Sequence, residues 1–226
     1  MKKYEFTGET KVWLGRTLHR IRAVVAFGDV AVGDLGGWVE KEENLSHDGE
    51  AWVYGEAQVC GEARVFGEAR VCDEAQVYGE ARVYGEALVC DEARVCDEAQ
   101  VCDEAQVYGE AWVYGEALVC DEAQVYGEAQ VYGEARVYGE ALVAKSCHYL
   151  TIGLIGSRND TTTFFRTKSL EIFVACGCFR GNIEQFAEAV KKRHGGTKHE
   201  KVYLAAIELA KLQIELTEDG AEDGKN

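Results

Sequence analysis

A six-residue unit repeats sixteen times without interruption from Gly49 to Ala144. The unit reads Gly/Asp-Glu-Ala-x-Val-Tyr/Cys, and valine recurs at every sixth position from Val53 to Val143. A short fixed period without insertions is typical of solenoids, in which every unit adds the same structural step. The repeat therefore restricts the fold of this chain more than any other feature of its sequence.

Within each unit, alanine and valine lie on either side of one variable residue. Alternate residues of a strand point to opposite faces, so we expect alanine and valine to point inward and the variable residue outward. Three units would then close one triangular coil. Sixteen units predict about five coils, and a spacing of about 4.8 Å per coil gives a length of roughly 25 Å.

This pattern resembles the hexapeptide repeat of left-handed parallel β-helices over residues 49–144. The resemblance implies a mainly β protein built on that helix. It implies little about activity, because such helices occur in acyltransferases, in carbonic anhydrase-like proteins and in proteins with no catalytic role.

The segments on either side of the repeat predict two caps. Residues 1–48 combine apolar positions with glycine turns, which indicates short strands that cover the first coil. Residues 145–216 are predicted to form three strands and two helices, a small βββαα domain of the α+β type, with Asn182 and Thr197 as helix N-caps. Residues 217–226 are acidic, and we expect them to be disordered.

Charge and composition narrow the classes of function. Residues 49–144 carry a net charge of −16, so we expect no direct nucleic-acid binding by the repeat region, whereas residues 145–213 carry +5 and could attract an anion. No apolar run is long enough for a membrane span, and no signal-like segment follows Lys2 and Lys3, which predicts a cytoplasmic protein. Six of the nine cysteines replace the aromatic residue of the repeat, so we interpret them as reduced thiols.

Two polar segments of the C-terminal part are candidates for a ligand site. They combine glycine, hydroxyl and amide groups with one arginine each, which suits a phosphate or carboxylate. The candidate residues are Gly156, Ser157, Arg158, Asn159, Asp160, Thr161, Thr162, Arg180 and Asn182. Convergence of the two segments would create a pocket for a nucleotide-like anion; the alternative is a polar turn beside an ordinary helix cap. We predict no metal site and no cofactor, because Cys147-His148 and Cys176-x-Cys178 lack the paired spacing of zinc ligands.

Large apolar residues at the variable position predict contact with another copy of the chain. The candidate interface residues are Trp52, Leu88, Trp112, Leu118 and Leu142. The alternative is a set of scattered surface residues without a common role.

The non-repeat segments carry a second resemblance. Residues 15–18, 36–45 and 155–160 are similar to those of hexapeptide-repeat proteins from phages, prophages and gut Firmicutes. This resemblance implies an accessory or phage-encoded context and supplies no catalytic residues.

From the sequence we expect a non-enzymatic binding or scaffold protein that sequesters an anionic small molecule or inhibits a host factor. One alternative is an acyltransferase that uses acyl-coenzyme A, although residues 49–144 contain no histidine and no loop insertion. Another alternative is an acidic DNA mimic that binds a basic protein.

Overall fold

The variable residue and the valine of each repeat form a strand of two residues, and the residues between two such dipeptides form a corner. The structure, a computed structural model, describes residues 2–217, so the predicted acidic tail lies almost entirely outside the described residues. The repeat strands are β4 (Trp52–Val53), β5 (Gln58–Val59), β6 (Arg64–Val65), β7 (Arg70–Val71), β8 (Gln76–Val77), β9 (Arg82–Val83), β10 (Leu88–Val89), β11 (Arg94–Val95), β12 (Gln100–Val101), β13 (Gln106–Val107), β14 (Trp112–Val113), β15 (Leu118–Val119), β16 (Gln124–Val125), β17 (Gln130–Val131), β18 (Arg136–Val137) and β19 (Leu142–Val143).

Each repeat strand pairs in parallel with the strand three units further along the chain. In β10, for example, Val89 pairs with Val71 on one side and with Val107 on the other. The strands thereby form three sheets that enclose the core, in which the repeat alanines and valines are at most 1% exposed. The predicted parallel β-solenoid is confirmed, and alanine and valine face inward as the alternation indicated.

The N-terminal segment extends the solenoid as well as covering it. Strands β1 (Tyr4–Trp13), β2 (Arg16–Ala23) and β3 (Leu35–Val39) form an antiparallel sheet, and β3 continues in parallel into β5. Leu45, which directly follows a 3₁₀ turn at Glu42–Asn44, forms a bridge with Val65. These residues complete a coil before the repeat begins, so the solenoid has about six turns rather than the predicted five.

The sequence does not show this extra coil because its spacing is irregular. Val39, Leu45 and Val53 are all fully buried along the same path. The step from Val39 to Leu45 is six residues, but the step from Leu45 to Val53 is eight. An insertion of two residues and the replacement of valine by leucine hide the register.

Beyond Val143, a 3₁₀ turn at Ser146–His148 leads into a four-stranded antiparallel sheet and two helices. The strands are β20 (Tyr149–Ile155), β21 (Asp160–Arg166), β22 (Ile172–Cys176) and β23 (Phe179–Asn182), and the helices are α1 (Ile183–His194) and α2 (Lys198–Gln213). Asn182 and Thr197 cap the helices as expected. Helix α2 ends at Gln213, three residues before Leu216, the end that the sequence pattern predicts. Neither helix is long and apolar enough to cross a membrane.

The fourth strand, β23, is absent from the sequence-based prediction. It forms a tight hairpin with β22, in which Cys176 pairs with Phe179 and Gly177 adopts φ of +59°. Because β23 has only four residues and runs directly into α1, its pattern is too short to separate from the helix cap.

The C-terminal sheet closes the far end of the solenoid. The Thr163 hydroxyl accepts a hydrogen bond from the Arg136 amide (3.1 Å), and the Lys168 amide donates to the Glu140 carbonyl (3.0 Å). Phe165 belongs to the solenoid core, whereas Phe164, on the other face of β21, packs in a second core with both helices. The sheet therefore lies between the solenoid and the helices.

Candidate functional site

A pocket of about 270 Å³ opens on the helical side of the C-terminal sheet. The turn after β20 supplies Ser157 and Arg158, and the hairpin between β22 and β23 supplies Cys178 and Phe179. Helix α1 and the first half of α2 complete the wall with Phe186, Val190, Arg193, His194 and Tyr203. The pocket therefore combines an apolar floor with a polar and cationic rim.

Two glycines allow the polar side chains to approach. Gly156 has φ of +74°, and any side chain at this position would collide with the ring and hydroxyl of Tyr203. At Gly177, a Cβ atom would come within 2.9 Å of an Arg158 terminal nitrogen. Gly156 thus needs glycine for the close contact as well as for the backbone conformation, whereas at Gly177, where the flexible end of Arg158 can move away, the φ of +59° is what favours glycine.

Tyr203 supplies a hydroxyl group in the wall of the pocket. Its oxygen faces the amide and hydroxyl groups of Ser157, and the thiol of Cys176 lies 3.9 Å away. Burial raises the pKa of Tyr203, so the side chain is a neutral phenol at physiological pH and can donate a hydrogen bond.

The cations of the rim lack acidic partners. Arg158 and Arg193 are exposed and line the pocket, and within residues 2–217 neither guanidinium group has a carboxylate within ion-pair distance. Arg193 belongs to a basic last turn of α1 that also contains Lys191, Lys192 and His194. These cations more than offset the partial negative charge of the helix C-terminus. The rim is therefore a positively charged surface open to an anion.

The two candidate segments meet at this pocket through Arg158 and Phe179, but the structure keeps their two arginines apart. Ser157 and Arg158 line the pocket, but Arg180 lies over the ring of Tyr138, with its guanidinium carbon 4.1 Å from the ring centroid. Successive residues of a strand point to opposite faces, so Phe179 faces the pocket and Arg180 faces the solenoid. The expectation that Arg180 contributes to the same pocket is thus not met.

The other candidate residues have structural contacts of their own. The Asn182 side chain accepts a hydrogen bond from the Gln185 amide (2.9 Å) as helix cap, and Asn159 occupies the left-handed turn position with φ of +52°. Asp160 accepts from the Thr161 amide (2.8 Å), and the Thr161 hydroxyl donates to Glu134 of the solenoid (2.6 Å). Thr162 is fully buried and hydrogen-bonds Cys176 (3.2 Å).

Sequence reasoning missed Arg193, His194 and Tyr203. The run from Lys191 to His194 was visible as a basic helix end, which is the signal that could have identified two of them. Tyr203 could not be distinguished from an ordinary core residue, since it lies on the apolar side of α2.

The proposed interface residues do not form one surface. Leu88 and Leu142 share a sheet with Trp52, while Trp112 and Leu118 lie on the other two sheets. Trp52 is 1% exposed and packs against Phe27 of the same chain. Residues share a face only when their numbers differ by a multiple of eighteen, a condition that this set of five does not meet. The structure therefore gives no common patch for association.

Among the described residues, three groups of thiol, carboxylate or imidazole side chains have metal-ligand spacing. Two lie on the solenoid and are treated below; the third consists of Cys147, His148 and Glu215. In this third group, His148 Nδ1 accepts a hydrogen bond from the Ala144 amide (3.1 Å), so that nitrogen is already occupied.

The fold defines the class of this chain as a parallel β-solenoid protein. A family model described as YdcK Beta solenoid repeat matches residues 75–91 and 129–144, so the chain is similar to that repeat over these two stretches. A comparison with curated proteins gives no match. The C-terminal pocket must accordingly be interpreted from its own chemistry.

Proposed function

We propose that the protein is a non-enzymatic binding protein whose C-terminal pocket holds a small anionic ligand. The observation that carries this proposal is the pair of arginines, Arg158 and Arg193, that line one pocket without a carboxylate partner in residues 2–217. An uncompensated pair of guanidinium groups is well suited to a phosphate or carboxylate, which each can bind through two parallel hydrogen bonds.

The remaining walls favour a ligand with a flat apolar part. Phe179 and Phe186 lie with their ring centroids 5.0 Å apart and form part of the pocket floor. An aromatic floor under a cationic rim suits a base or another aromatic group attached to a phosphate. The volume of about 270 Å³ is small for a ligand site, which typically measures roughly 300–1,000 Å³. We therefore propose a ligand no larger than a mononucleotide.

The solenoid would serve as a rigid support for this pocket. The Arg136–Thr163 and Thr161–Glu134 hydrogen bonds join the last coils to the strand that follows the pocket turn. In a phage-encoded setting, a protein of this kind would sequester a nucleotide signal of the host. The resemblance of the non-repeat segments supports that setting, and the rim charge supports the ligand class.

The test compares three arginine variants. Native mass spectrometry of the protein purified from cells would identify a bound mass, and calorimetric titration with nucleoside monophosphates would measure affinity. Arg158→Ala and Arg193→Ala should each weaken binding by roughly 10- to 100-fold, since each removes a charged hydrogen-bond donor worth about 1.5–3 kcal/mol. Arg180→Ala is the matched control and should bind as the wild type does, because its side chain lies over Tyr138.

Equal loss of binding in all three variants would contradict the proposed site, because a general decrease in positive charge would then explain the effect. Unchanged binding in Arg158→Ala and Arg193→Ala would contradict it directly. Thermal melting of each variant without ligand separates loss of the site from loss of the fold.

A further inference from the structure

Cysteine stacks on cysteine at two places along the solenoid. Cys72 lies one coil from Cys90, and Cys102 lies one coil from Cys120. In each pair, the two thiols and the carboxylate of the aspartate that follows the first cysteine form one cluster. The three ligand atoms of each cluster lie within 4.8 Å of one another. The same combination of two thiols and one carboxylate therefore occurs twice, on different edges of the solenoid.

The aspartates of these two clusters differ from the other repeat aspartates in their hydrogen bonds. Asp91, Asp97 and Asp121 each accept a hydrogen bond from the glycine amide one coil further on, at 2.9, 3.2 and 3.1 Å. One coil beyond Asp73 and Asp103 lies an aspartate instead of a glycine. For these two carboxylates no such bond to the next coil is formed within residues 2–217.

The carboxylates of the two clusters are directed to sulfur instead. Asp103 Oδ2 accepts a hydrogen bond from the Cys102 thiol at 3.5 Å, whereas the Cys72 thiol donates to the Val89 carbonyl at 3.7 Å and lies within 4.8 Å of the Asp73 carboxylate. Within each cluster the two sulfur atoms also lie within 4.8 Å of each other. Two sulfur atoms and one carboxylate oxygen thus lie close together in each cluster, where a metal ion would replace the thiol protons.

We propose that each cluster binds one thiophilic divalent metal ion, of the Zn²⁺ or Cd²⁺ class. Two thiolates and one carboxylate would occupy three positions of a tetrahedron, with water in the fourth. A zinc–sulfur bond of about 2.3 Å requires the two sulfurs to be about 3.8 Å apart, which rotation about the Cα–Cβ bonds can reach from the present spacing. Binding converts two thiols and one M²⁺ ion into an M(SR)₂ unit and releases two protons.

The surroundings predict that the two sites differ in affinity. Cys72 and Cys90 are half-buried, while Cys102 and Cys120 are buried and the positive charge of Arg180 acts on Cys120. A nearby positive charge and the burial of the thiols both oppose the entry of a divalent cation, so the Cys72 cluster should bind more tightly.

The test titrates the full, reduced, metal-free protein with Cd²⁺ and follows the thiolate-to-cadmium charge-transfer absorption. Native mass spectrometry then counts the ions per chain. Cys72→Ser/Cys90→Ser and Cys102→Ser/Cys120→Ser should each lower the count by one relative to the wild type. Asp73→Asn should weaken the site of Cys72 without changing the other site.

Two substitutions are matched controls. Cys96 is stacked between Tyr78 and Tyr114 rather than on another cysteine, so Cys96→Ser should leave the count unchanged. Asp97→Asn alters a carboxylate that bonds the Gly115 amide and should not affect metal uptake. Fewer than two ions on the wild-type chain would overturn the proposal. An equal loss in the Cys96→Ser variant would also overturn it.

Discussion

The first residue of every repeat lies at a corner of the solenoid and adopts the left-handed region of the Ramachandran plot. The repeat glycines have φ between +56° and +74°, and the five repeat aspartates have φ between +57° and +59°. Glycine adopts this conformation freely, and aspartate is one of the few other residues that do so at low cost. The alternation of glycine and aspartate in the sequence is therefore explained by one backbone requirement.

Aspartate adds a contact that glycine lacks, and this leads to a prediction for Asp91. Its carboxylate accepts a hydrogen bond from the Gly109 amide at 2.9 Å. Asp91→Ala loses that bond and introduces a residue that is strained at positive φ, so it should destabilise the fold by about 2 kcal/mol in total. Asp91→Asn retains an acceptor and tolerates the conformation, and should be nearly neutral.

Thermal melting of the two Asp91 variants measures the difference. For a chain of this size, about 2 kcal/mol corresponds to a melting temperature roughly 4–8 °C lower. Equal melting temperatures for Asp91→Ala and Asp91→Asn would show that neither the carboxylate bond nor the backbone strain contributes.

At the scale of the element, the N-terminal cap depends on a buried lysine. Lys3 is 2% exposed, and its ammonium group donates to the Ala51 carbonyl (2.7 Å) and the Gly49 carbonyl (3.3 Å) of the first coil. Phe27 covers the same group, with its ring centroid 4.9 Å away. Lys3 thus satisfies carbonyl groups that the end of a solenoid would otherwise leave unpaired.

Burial lowers the pKa of Lys3 from 10.5 to about 8, and the effect on stability follows from linkage. Between these values the unfolded chain binds a proton that the folded chain does not bind, so this group makes folding more favourable as pH rises from about 8 to 10.5. Lys3→Met removes the titration. The melting temperature of the wild type minus that of Lys3→Met should therefore increase from pH 8 to pH 10.

Both proteins contain the same other titrating groups. The difference between their melting temperatures therefore cancels the contribution of those groups. A difference that stays constant with pH would contradict the assignment. A difference that decreases would indicate that the lysine is more easily protonated in the folded state than in the unfolded state.

The repeat elements could be predicted from sequence because each strand carries its own pattern, whereas the caps depend on contacts between distant residues. The alternation of Ala and Val is local and specifies the strand, its inward face and its partner three units away. Lys3 illustrates the opposite case, since lysine is normally exposed and only the position of the first coil explains its burial. Only part of the candidate pocket could be predicted from sequence. Arg158 lies in a recognisable polar turn, but Arg193, which lines the same pocket, belongs to a helix and is thirty-five residues away along the chain.

At the scale of the molecule, one sheet serves two cores. Phe165 on one face of β21 belongs to the solenoid core, and Phe164 on the other face belongs to the core beneath the helices. The net charge changes from −16 in residues 49–144 to +5 in residues 145–213 across this sheet. The C-terminal part is thus both the cap of the solenoid and the carrier of the cationic pocket, and the two roles should be separable by substitution.

Arg166 holds the C-terminal part on the last coil, and its removal should loosen that part selectively. The side chain is 0% exposed, and its guanidinium group donates to the Leu142 carbonyl (3.1 Å) and to the Thr217 carbonyl (2.7 Å). Arg166→Met leaves these carbonyls without their donor, at a cost of about 1–3 kcal/mol for each one that water cannot reach. We expect faster hydrogen exchange throughout β21, α1 and α2, with little change in the central coils.

Arg180→Ala is the control for this prediction, because Arg180 also joins the C-terminal part to the solenoid but is exposed. Its contact over the Tyr138 ring is worth about 0.5–1 kcal/mol at such a site, so its exchange profile should remain close to that of the wild type. If Arg166→Met and Arg180→Ala gave the same profile, the buried hydrogen bonds would not be what fixes the cap. If exchange rose equally in every coil, the solenoid and its cap would unfold as one unit, and the pocket could not be loosened without the scaffold.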